Sequence, residues 1–248
     1  MSHNARSLVA IIVIGVVVVG TVVLWRWLSK PPTVEVTGPD VPGAVILIPG
    51  YGGNAGALTG LAGQLQAAGR QVVVADIGDG RADIAQYGSQ VAATASGLVR
   101  DGSPSVDLVG YSMGGLVARS AAEKNPAAIR RVATIASPHQ GTAIAGLGAF
   151  LNDPNSCPTA CQQMAPSSDF LGALPVAADA DRWLSVWSEG DDTIQPPESS
   201  DLDGATNINV TADCGAGEPD HGGIIRTPTV WTLVADFLAT GEVTAACR

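Results

Sequence analysis

The chain has 248 residues, of which 46% are hydrophobic and 15% are charged. This length is sufficient for one α/β domain with a full hydrophobic core, and the composition excludes an intrinsically disordered chain. The formal net charge is −10, and Lys30 and Lys124 are the only two lysines. A basic surface that follows phosphates is therefore excluded, and we expect no nucleic-acid partner.

The first thirty residues form a segment of their own. Residues 8–25 are an uncharged run, and at about 1.5 Å per residue a helix of this length spans roughly 27 Å, close to the thickness of the hydrocarbon core of a bilayer. Arg6 precedes the run, and Trp25, Arg26, Trp27 and Lys30 end or follow it. Residues 1–30 are therefore predicted to be an uncleaved membrane anchor, with a removed signal peptide as the alternative. Either interpretation predicts export, as a membrane-anchored or a secreted protein.

From residue 31 onward, short apolar runs rich in Val and Ile alternate with Ala-rich stretches of helical length. Strands are predicted at residues 44–48, 71–75, 106–109, 132–135, 183–187 and 208–210. Helices are predicted at residues 57–68, 82–100 and 116–124, and after Pro228 as far as residue 238. This alternation is typical of a mostly parallel sheet with helices on both faces. Residues 31–248 are therefore predicted to form a single α/β domain, in which residues 31–42 are a linker or an edge strand.

The four cysteines of the chain are consistent with an exported protein. An even number outside the cytosol favours two disulfides, and although four cysteines allow three pairings, Cys157–Cys161 and Cys214–Cys247 are preferred. The first pair would be a disulfide within the long connecting segment predicted at residues 152–175. A metal site is disfavoured, because the two histidines beyond the first segment do not stand at ligand spacing from a cysteine pair. We expect neither a metal nor another cofactor.

A candidate nucleophile follows the predicted strand at 106–109. Residues 110–114 read Gly-Tyr-Ser-Met-Gly, a Gly-x-Ser-x-Gly pattern. The pattern alone is a weak signal, but its position between an apolar strand and an Ala-rich helix is informative. The glycines permit a sharp turn that exposes the Ser112 hydroxyl, whereas neighbouring Cβ atoms would clash. The alternative is a flexible turn in which Ser112 caps the helix.

The hydroxyl needs a base, and the chain has three histidines. His3 precedes the apolar run. His139 could line the pocket, but it precedes every plausible acid, whereas folds that carry a serine on this kind of turn have the chain order Ser, then acid, then His. His221 lies between the last predicted strand and the last helix, which makes it the preferred base, with a surface histidine as the alternative. The acid that orients the imidazole is predicted at Asp191, with Asp192 as the rival. Asp191 is preferred because an apolar residue follows three positions later and a proline five positions later.

The oxyanion of an acyl-transfer reaction needs donors that are already in place. The backbone N–H of Met113, next to the nucleophile, is one candidate. The second is expected in the glycine-rich stretch after the first strand of the sheet, where Pro49 has no N–H, so the N–H of Tyr51 is preferred. We do not predict a phosphate-binding loop here, because the same stretch lacks the Lys-Ser/Thr ending that such loops require.

Together these motifs resemble the α/β-hydrolase superfamily, and more narrowly the secreted bacterial lipases and esterases with a Pro/His-Gly-x-Gly-Gly oxyanion loop. The resemblance spans about residues 44–240 and rests on residues 48–53 (Ile-Pro-Gly-Tyr-Gly-Gly), 110–115, 137–142 (Ser-Pro-His-Gln-Gly-Thr), 161–164, 166–171 and 191–196, with His221. It implies an α/β-hydrolase fold in a small, lid-poor form, and Ser112, Asp191 and His221 as the triad. It also implies triacylglycerol lipase or carboxylesterase activity, with Tyr51 and Met113 forming the oxyanion hole.

The expected activity is hydrolysis of carboxylic esters, such as lipids, through an acyl-enzyme on Ser112. Acyl transfer or thioester cleavage on the same triad is the alternative. A membrane-tethered binding module that has lost its chemistry is the alternative from another class. The expected partners are a small-molecule or lipid ester and, through residues 1–30, a membrane, and the protein is expected to be a monomer.

Overall fold

A computed structural model of the chain describes residues 31–150, 156–243 and 247. The strands in these ranges are β1 (Thr33–Val34), β2 (Ala44–Ile48), β3 (Val72–Val74), β4 (Val106–Tyr111), β5 (Ile129–Ile135), β6 (Val176–Ala177), β7 (Trp183–Trp187) and β8 (Thr206–Asn209). Six of them form the central sheet in the order β3-β2-β4-β5-β7-β8, and every neighbouring pair is parallel. The predicted mostly parallel sheet is thus confirmed.

Helices cover both faces of this sheet. They are α1 (Thr59–Ala67), α2 (Ile84–Arg100), α3 (Met113–Lys124), α4 (Ala143–Phe150), α5 (Thr159–Gln163), α6 (Asp169–Ala173), α7 (Val210–Cys214), α8 (His221–Ile224) and α9 (Pro228–Thr240). One face of the sheet packs against α2 and α3, and the other packs against α1 and α9. Because both faces are covered, the central strands are buried along almost their whole length, and most of their residues are apolar rather than every second one.

Several strands and helices begin or end at residues other than those predicted, each for a local reason. Strand β5 begins at Ile129 and not at residue 132, because Arg130 and Arg131 are buried and paired. Helix α2 begins at Ile84, because the side chain of Asp83 accepts a hydrogen bond from the N–H of Ala85 at 2.8 Å and caps it. Strand β8 ends at Asn209, whose side chain caps α7.

Between β5 and β7 lies a cap segment, defined here as residues 143–177. Its described residues form α4, α5, α6 and β6, and β6 pairs with β1 in a separate two-stranded parallel sheet. Residues 31–42, predicted as a linker or an edge, therefore supply an edge strand. The side chain of Gln163 holds the cap segment to α2, donating to Asp83 Oδ1 at 2.9 Å and accepting from the N–H of Ile84 at 2.8 Å.

Disulfides link Cys157 to Cys161 and Cys214 to Cys247, and the second joins the end of α7 to the C-terminal region. Disulfides are typical of oxidising compartments. The apolar segment of residues 1–30, predicted as an anchor or a signal, lies outside the described residues. Among the residues that the structure does describe, no helix combines the length and the apolar character needed to cross a bilayer.

An acidic side chain inside the sheet holds two arginines. Asp107, the second residue of β4, is fully buried, and its carboxylate accepts from Arg130 at 3.0 and 2.6 Å and from Arg70 at 2.6 Å. Arg130 is itself only 1% exposed and also donates to the carbonyl oxygen of Leu238 in α9. This network connects β4 and β5 to the last helix.

We expect Asp107→Asn to lower the free energy of unfolding by about 3–5 kcal/mol, because the buried guanidinium of Arg130 would keep only the exposed carboxylate of Asp40, 3.6 Å away, as a countercharge. Urea denaturation with intact disulfides measures the change. The control is Asp101→Asn at the exposed end of α2, which should stay within about 0.5 kcal/mol of the wild type. Equal stabilities of the two variants would contradict this account of the network.

Candidate active site

Ser112 occupies a sharp turn between β4 and α3. Its backbone angles are φ 56° and ψ −128°, a conformation that L-residues rarely adopt. A Cβ atom at Gly110 would lie 2.3 Å from the carbonyl oxygen of Gly114, and one at Gly114 would lie 2.3 Å from that of Ile48. Both glycines are therefore required by close backbone contacts. The turn places the Ser112 side chain beyond the carboxyl end of the sheet, where ligands bind in folds of this kind.

His221 lies beside this hydroxyl. It is the first residue of α8, whose N-terminus is capped by Asp220 through a hydrogen bond from the N–H of Gly223 at 2.6 Å. The Nε2 atom of His221 is 3.0 Å from Ser112 Oγ, although 109 positions separate the two residues in sequence. This is hydrogen-bonding distance, so the imidazole is placed to take the hydroxyl proton.

The acid on the other side of the imidazole is Asp191. Its Oδ2 is 2.8 Å from His221 Nδ1, and its Oδ1 accepts hydrogen bonds from the N–H groups of Thr193 at 2.9 Å and Ile194 at 2.7 Å. The residue is 3% exposed, and the buried side chain of Ile194 anchors the loop beneath it. Asp192 is exposed, and its carboxylate accepts from the Thr193 hydroxyl at 3.3 Å. The structure therefore brings Asp191, and not Asp192, to the imidazole.

Tyr111 supports the histidine from a second direction. Its ring stacks on the imidazole with centroids 5.2 Å apart, and its hydroxyl donates to the backbone oxygen of His221 at 2.8 Å. Burial, with a smaller effect of the Asp191 carboxylate, raises the pKa of Tyr111 to about 12, so the hydroxyl remains a donor well into the alkaline range. No role was predicted for Tyr111 from the sequence, although its position next to the nucleophile is a signal that it lies in the site.

We expect Tyr111→Phe to lower kcat by about five- to tenfold with a smaller change in KM, because losing one hydrogen bond of about 1 kcal/mol loosens the backbone that carries His221. Steady-state kinetics on a p-nitrophenyl ester measures the effect. Tyr111→Leu, which also removes the stacked ring, should lower kcat further. If kcat were the same in Tyr111→Phe and the wild type, the hydroxyl would have no positioning role.

The two predicted oxyanion donors lie next to Ser112. Met113 begins α3, where N–H groups have no partner within the helix. A Cβ atom added at Gly50 would lie 2.9 Å from Ser112 Cβ and 3.3 Å from its Oγ, so the loop that carries Tyr51 passes directly over the hydroxyl. Gly52 and Gly53 have positive φ angles, which only glycine adopts readily. The roles of the N–H groups of Tyr51 and Met113 stay a prediction.

Two cavities meet at Ser112, Tyr51 and Thr193. The first, here called the apolar cavity, has a volume of about 420 Å³ and also contacts the cap segment through Ile144, Ala145 and Met164. The second, here called the histidine-side cavity, has a volume of about 340 Å³. Its wall includes Asn54, Tyr111, His221, Ile225 and Arg226. A larger cavity, of about 580 Å³, lies beside Asp181 and Glu242, and no triad residue lines it.

Among the wall residues, Ile144, Ala145, Ile225 and Arg226 were not predicted from the sequence, because they belong to no motif and come from segments far apart in the chain. The expectation that His139 could line the pocket is wrong for both cavities at Ser112. His139 is buried, and its Nε2 is 2.9 Å from Thr134 Oγ1. Burial and the nearby charge of Arg119 lower the pKa of His139 well below its ordinary value, so this imidazole is neutral.

Arg119 joins α3 to the cap segment. It is 2% exposed and donates to the backbone oxygens of Leu174 at 3.1 Å and Pro175 at 3.0 Å, and to that of His139 at 3.3 Å. Burial lowers the pKa of Arg119 to about 10, which still leaves it charged at neutral pH. The helix that begins directly after Ser112 therefore also anchors the end of the segment that lines the apolar cavity.

Comparison with known proteins agrees with this arrangement. A sequence model of the family described as palmitoyl protein thioesterase matches residues 44–173. No curated protein sequence matches the chain significantly. Among solved structures, Aspergillus fumigatus lipase B is similar with a TM-score of 0.68 at 22% identity, covering 86% of this chain and 57% of that one. This chain thus spans little more than half the length of that lipase.

Two further solved structures are similar over most of their length. The mature form of a Bacillus licheniformis lipase has a TM-score of 0.64 at 18% identity, covering 84% of this chain and 96% of that one. An extracellular alpha/beta-hydrolase from a Paenibacillus species has a TM-score of 0.51 at 18% identity, covering 81% of this chain and all of that one (100%). At these identities the similarities establish the predicted α/β-hydrolase fold and leave the activity open.

Proposed function

The chain belongs to the palmitoyl protein thioesterase family, and from this premise we propose that it is a serine hydrolase that cleaves carboxylic esters of apolar acyl groups. The observation that carries the proposal is the chain of contacts from Ser112 Oγ to His221 Nε2 at 3.0 Å and from His221 Nδ1 to Asp191 Oδ2 at 2.8 Å. A hydroxyl, an imidazole and a buried carboxylate in this order form the arrangement that activates a serine for acyl transfer.

In the first step, Ser112 Oγ attacks the carbonyl carbon of the ester while His221 Nε2 takes the hydroxyl proton. The Asp191 carboxylate stabilises the imidazolium, and the N–H groups of Tyr51 and Met113 bind the oxyanion. When the tetrahedral intermediate collapses, the bond to the leaving group breaks and His221 gives the proton to the leaving atom. Ser112 then carries the acyl group as an ester.

In the second step, water attacks the acyl-enzyme. His221 again accepts the proton, the bond between Ser112 Oγ and the acyl carbon breaks, and the proton passes to Oγ. The products are the carboxylic acid and the free enzyme. The apolar cavity is suited to the acyl group, because its wall includes Ile144, Ala145, Met164 and Ile194.

A second candidate activity is thioester hydrolysis through the same steps, which the family membership favours. The test uses an oxygen ester and a thioester that share one acyl group and differ in the leaving atom. We expect hydrolysis of at least one of them, with free acid as the product, and the ratio of their kcat/KM values assigns the preference. Transfer of the acyl group to an added alcohol in place of water would indicate an acyltransferase. A folded protein that cleaves neither compound would contradict the proposal and favour a binding module.

We propose further that the protein acts outside the cytosol as a monomer, attached to a membrane through residues 1–30 or released from it. The two disulfides support the oxidising location. Fractionation of the producing cells, with immunodetection of the protein in membrane and medium, tests this assignment.

A further inference from the structure

The two cavities that meet at Ser112 differ in their chemical character. The apolar cavity is formed largely by hydrophobic side chains of the cap segment and of the loop after Asp191. The histidine-side cavity contains the polar side chain of Asn54 and the charged side chain of Arg226. A substrate whose carbonyl carbon lies at Ser112 can therefore place its acyl group in one cavity and its leaving group in the other.

The position of His221 decides which half occupies which cavity. In the proposed mechanism His221 must give a proton to the leaving atom, so that atom has to lie within hydrogen-bonding distance of the imidazole. His221 and Gly222 line the histidine-side cavity and are absent from the wall of the apolar cavity. The acyl group is therefore directed to the apolar cavity and the leaving group to the histidine-side cavity.

Arg226 is the cationic residue in the wall of the histidine-side cavity. Its side chain is exposed, and among the residues that the structure describes no carboxylate lies within ion-pair distance of its guanidinium. The peptide group that precedes it is fixed at both of its polar atoms, because the N–H of Arg226 donates to the oxygen of Gly223 at 2.9 Å and the oxygen of Ile225 accepts from Trp231 Nε1 at 2.7 Å. These two hydrogen bonds hold Arg226 at the end of the turn that begins at His221.

Three carboxylates lie near this position. Asp191, Asp220 and Asp192 lie close enough to Tyr111 to raise its pKa, whereas Arg226 lowers it. None of the three lines the histidine-side cavity or forms an ion pair with Arg226. The guanidinium of Arg226 is therefore the charge that the cavity wall itself carries beside His221.

We propose that the histidine-side cavity is a leaving-group subsite in which Arg226 selects substrates whose leaving alcohol or thiol carries an anionic group, a carboxylate or a phosphate. The guanidinium offers a planar set of donors that matches both anions. Arg226 is a specificity residue in this proposal and takes no part in bond breaking. The inference rests on the proposed function, because it needs a leaving group at His221.

The test compares thioesters that share one octanoyl group and differ in the thiol: 3-mercaptopropionate, its neutral primary amide, and 2-mercaptoethyl phosphate. For each variant the measured quantity is the ratio of kcat/KM for an anionic substrate to kcat/KM for the neutral one, so that a general loss of activity cancels. At low ionic strength we expect the wild type to prefer an anionic substrate by about fivefold, as for an exposed ion pair, and the preference to shrink at high salt. Comparing the carboxylate with the phosphate identifies which anion is preferred.

Three variants decide the role of Arg226. Arg226→Gln should bring the ratio close to one, and Arg226→Lys should retain part of the preference. The matched control is Arg100→Gln, an exposed arginine at the end of α2 that changes the net charge equally and should keep the wild-type ratio. A ratio near one in the wild type, or an unchanged ratio in Arg226→Gln, overturns the subsite and leaves the proposed function intact when the neutral thioester is hydrolysed. A folded wild type that hydrolyses no ester or thioester overturns both proposals.

Discussion

Ser112→Ala is expected to lower kcat for a p-nitrophenyl ester by at least about 10⁴-fold, because the variant lacks the hydroxyl that His221 is placed to activate. Ser112 Oγ is the atom at 3.0 Å from His221 Nε2, and it lies at the junction of the two cavities. Steady-state kinetics measures the loss. Covalent labelling by a fluorophosphonate probe, located by mass spectrometry, should disappear in the same variant.

The substitution should leave the fold intact. Ser112 already has a positive φ angle, and alanine takes over the same strained backbone without adding a larger side chain. The control is Ser89→Ala, a serine on the exposed side of α2 whose hydroxyl bonds only to the oxygen of Ala85 within that helix. Both variants should melt within a few degrees of the wild type, and Ser89→Ala should retain full turnover. If Ser112→Ala kept wild-type turnover, the proposed mechanism would be wrong.

Asp191→Asn is expected to lower kcat by about 10³- to 10⁴-fold, because the amide would impose the wrong tautomer on His221. Oδ1 of Asp191 accepts two backbone N–H groups, from Thr193 and Ile194, so the oxygen of the new amide would stay with those donors. Its NH₂ group would then face His221 Nδ1. The imidazole would have to accept at Nδ1 and carry its proton on Nε2, where it cannot take the proton of Ser112.

Asp192→Asn is the matched control for this prediction. The residue is adjacent in sequence and carries the same charge, but it is exposed and its carboxylate bonds to the hydroxyl of Thr193. We expect kcat within about twofold of the wild type, since exposed charges of this kind contribute little. A large loss in Asp192→Asn with a small one in Asp191→Asn would reverse the assignment of the acid.

Much of the sheet could be predicted from the sequence, because the signals are local. Strands β2 and β7 have the predicted bounds. Strand β2 is a run of five apolar residues followed by Pro49, and β7 has four apolar residues and one serine and is followed by Ser188. Strand β5 was predicted too short, since Arg130 and Arg131 have the composition of a surface loop. The buried side chain of Arg130 pairs with Asp107, more than twenty positions earlier in the chain, and that of Arg131 donates to the oxygen of Leu238, more than a hundred positions later. A contact of that kind leaves no local pattern.

The candidate site likewise has residues that the sequence indicated and residues that only the tertiary structure brought to it. The Gly-x-Ser-x-Gly turn indicated Ser112, because a sharp backbone turn makes strict demands on the residues within it, and chain order indicated His221 and an acid near residue 191. Only the tertiary structure decided which of two adjacent aspartates faces the imidazole, that Tyr111 stacks on it, and that Arg226 lines the cavity beside it. Backbone conformation depends on neighbouring residues and is therefore encoded locally. Which side chains surround a cavity depends on how segments separated by tens of residues pack against one another, and this is decided only when the whole chain has folded.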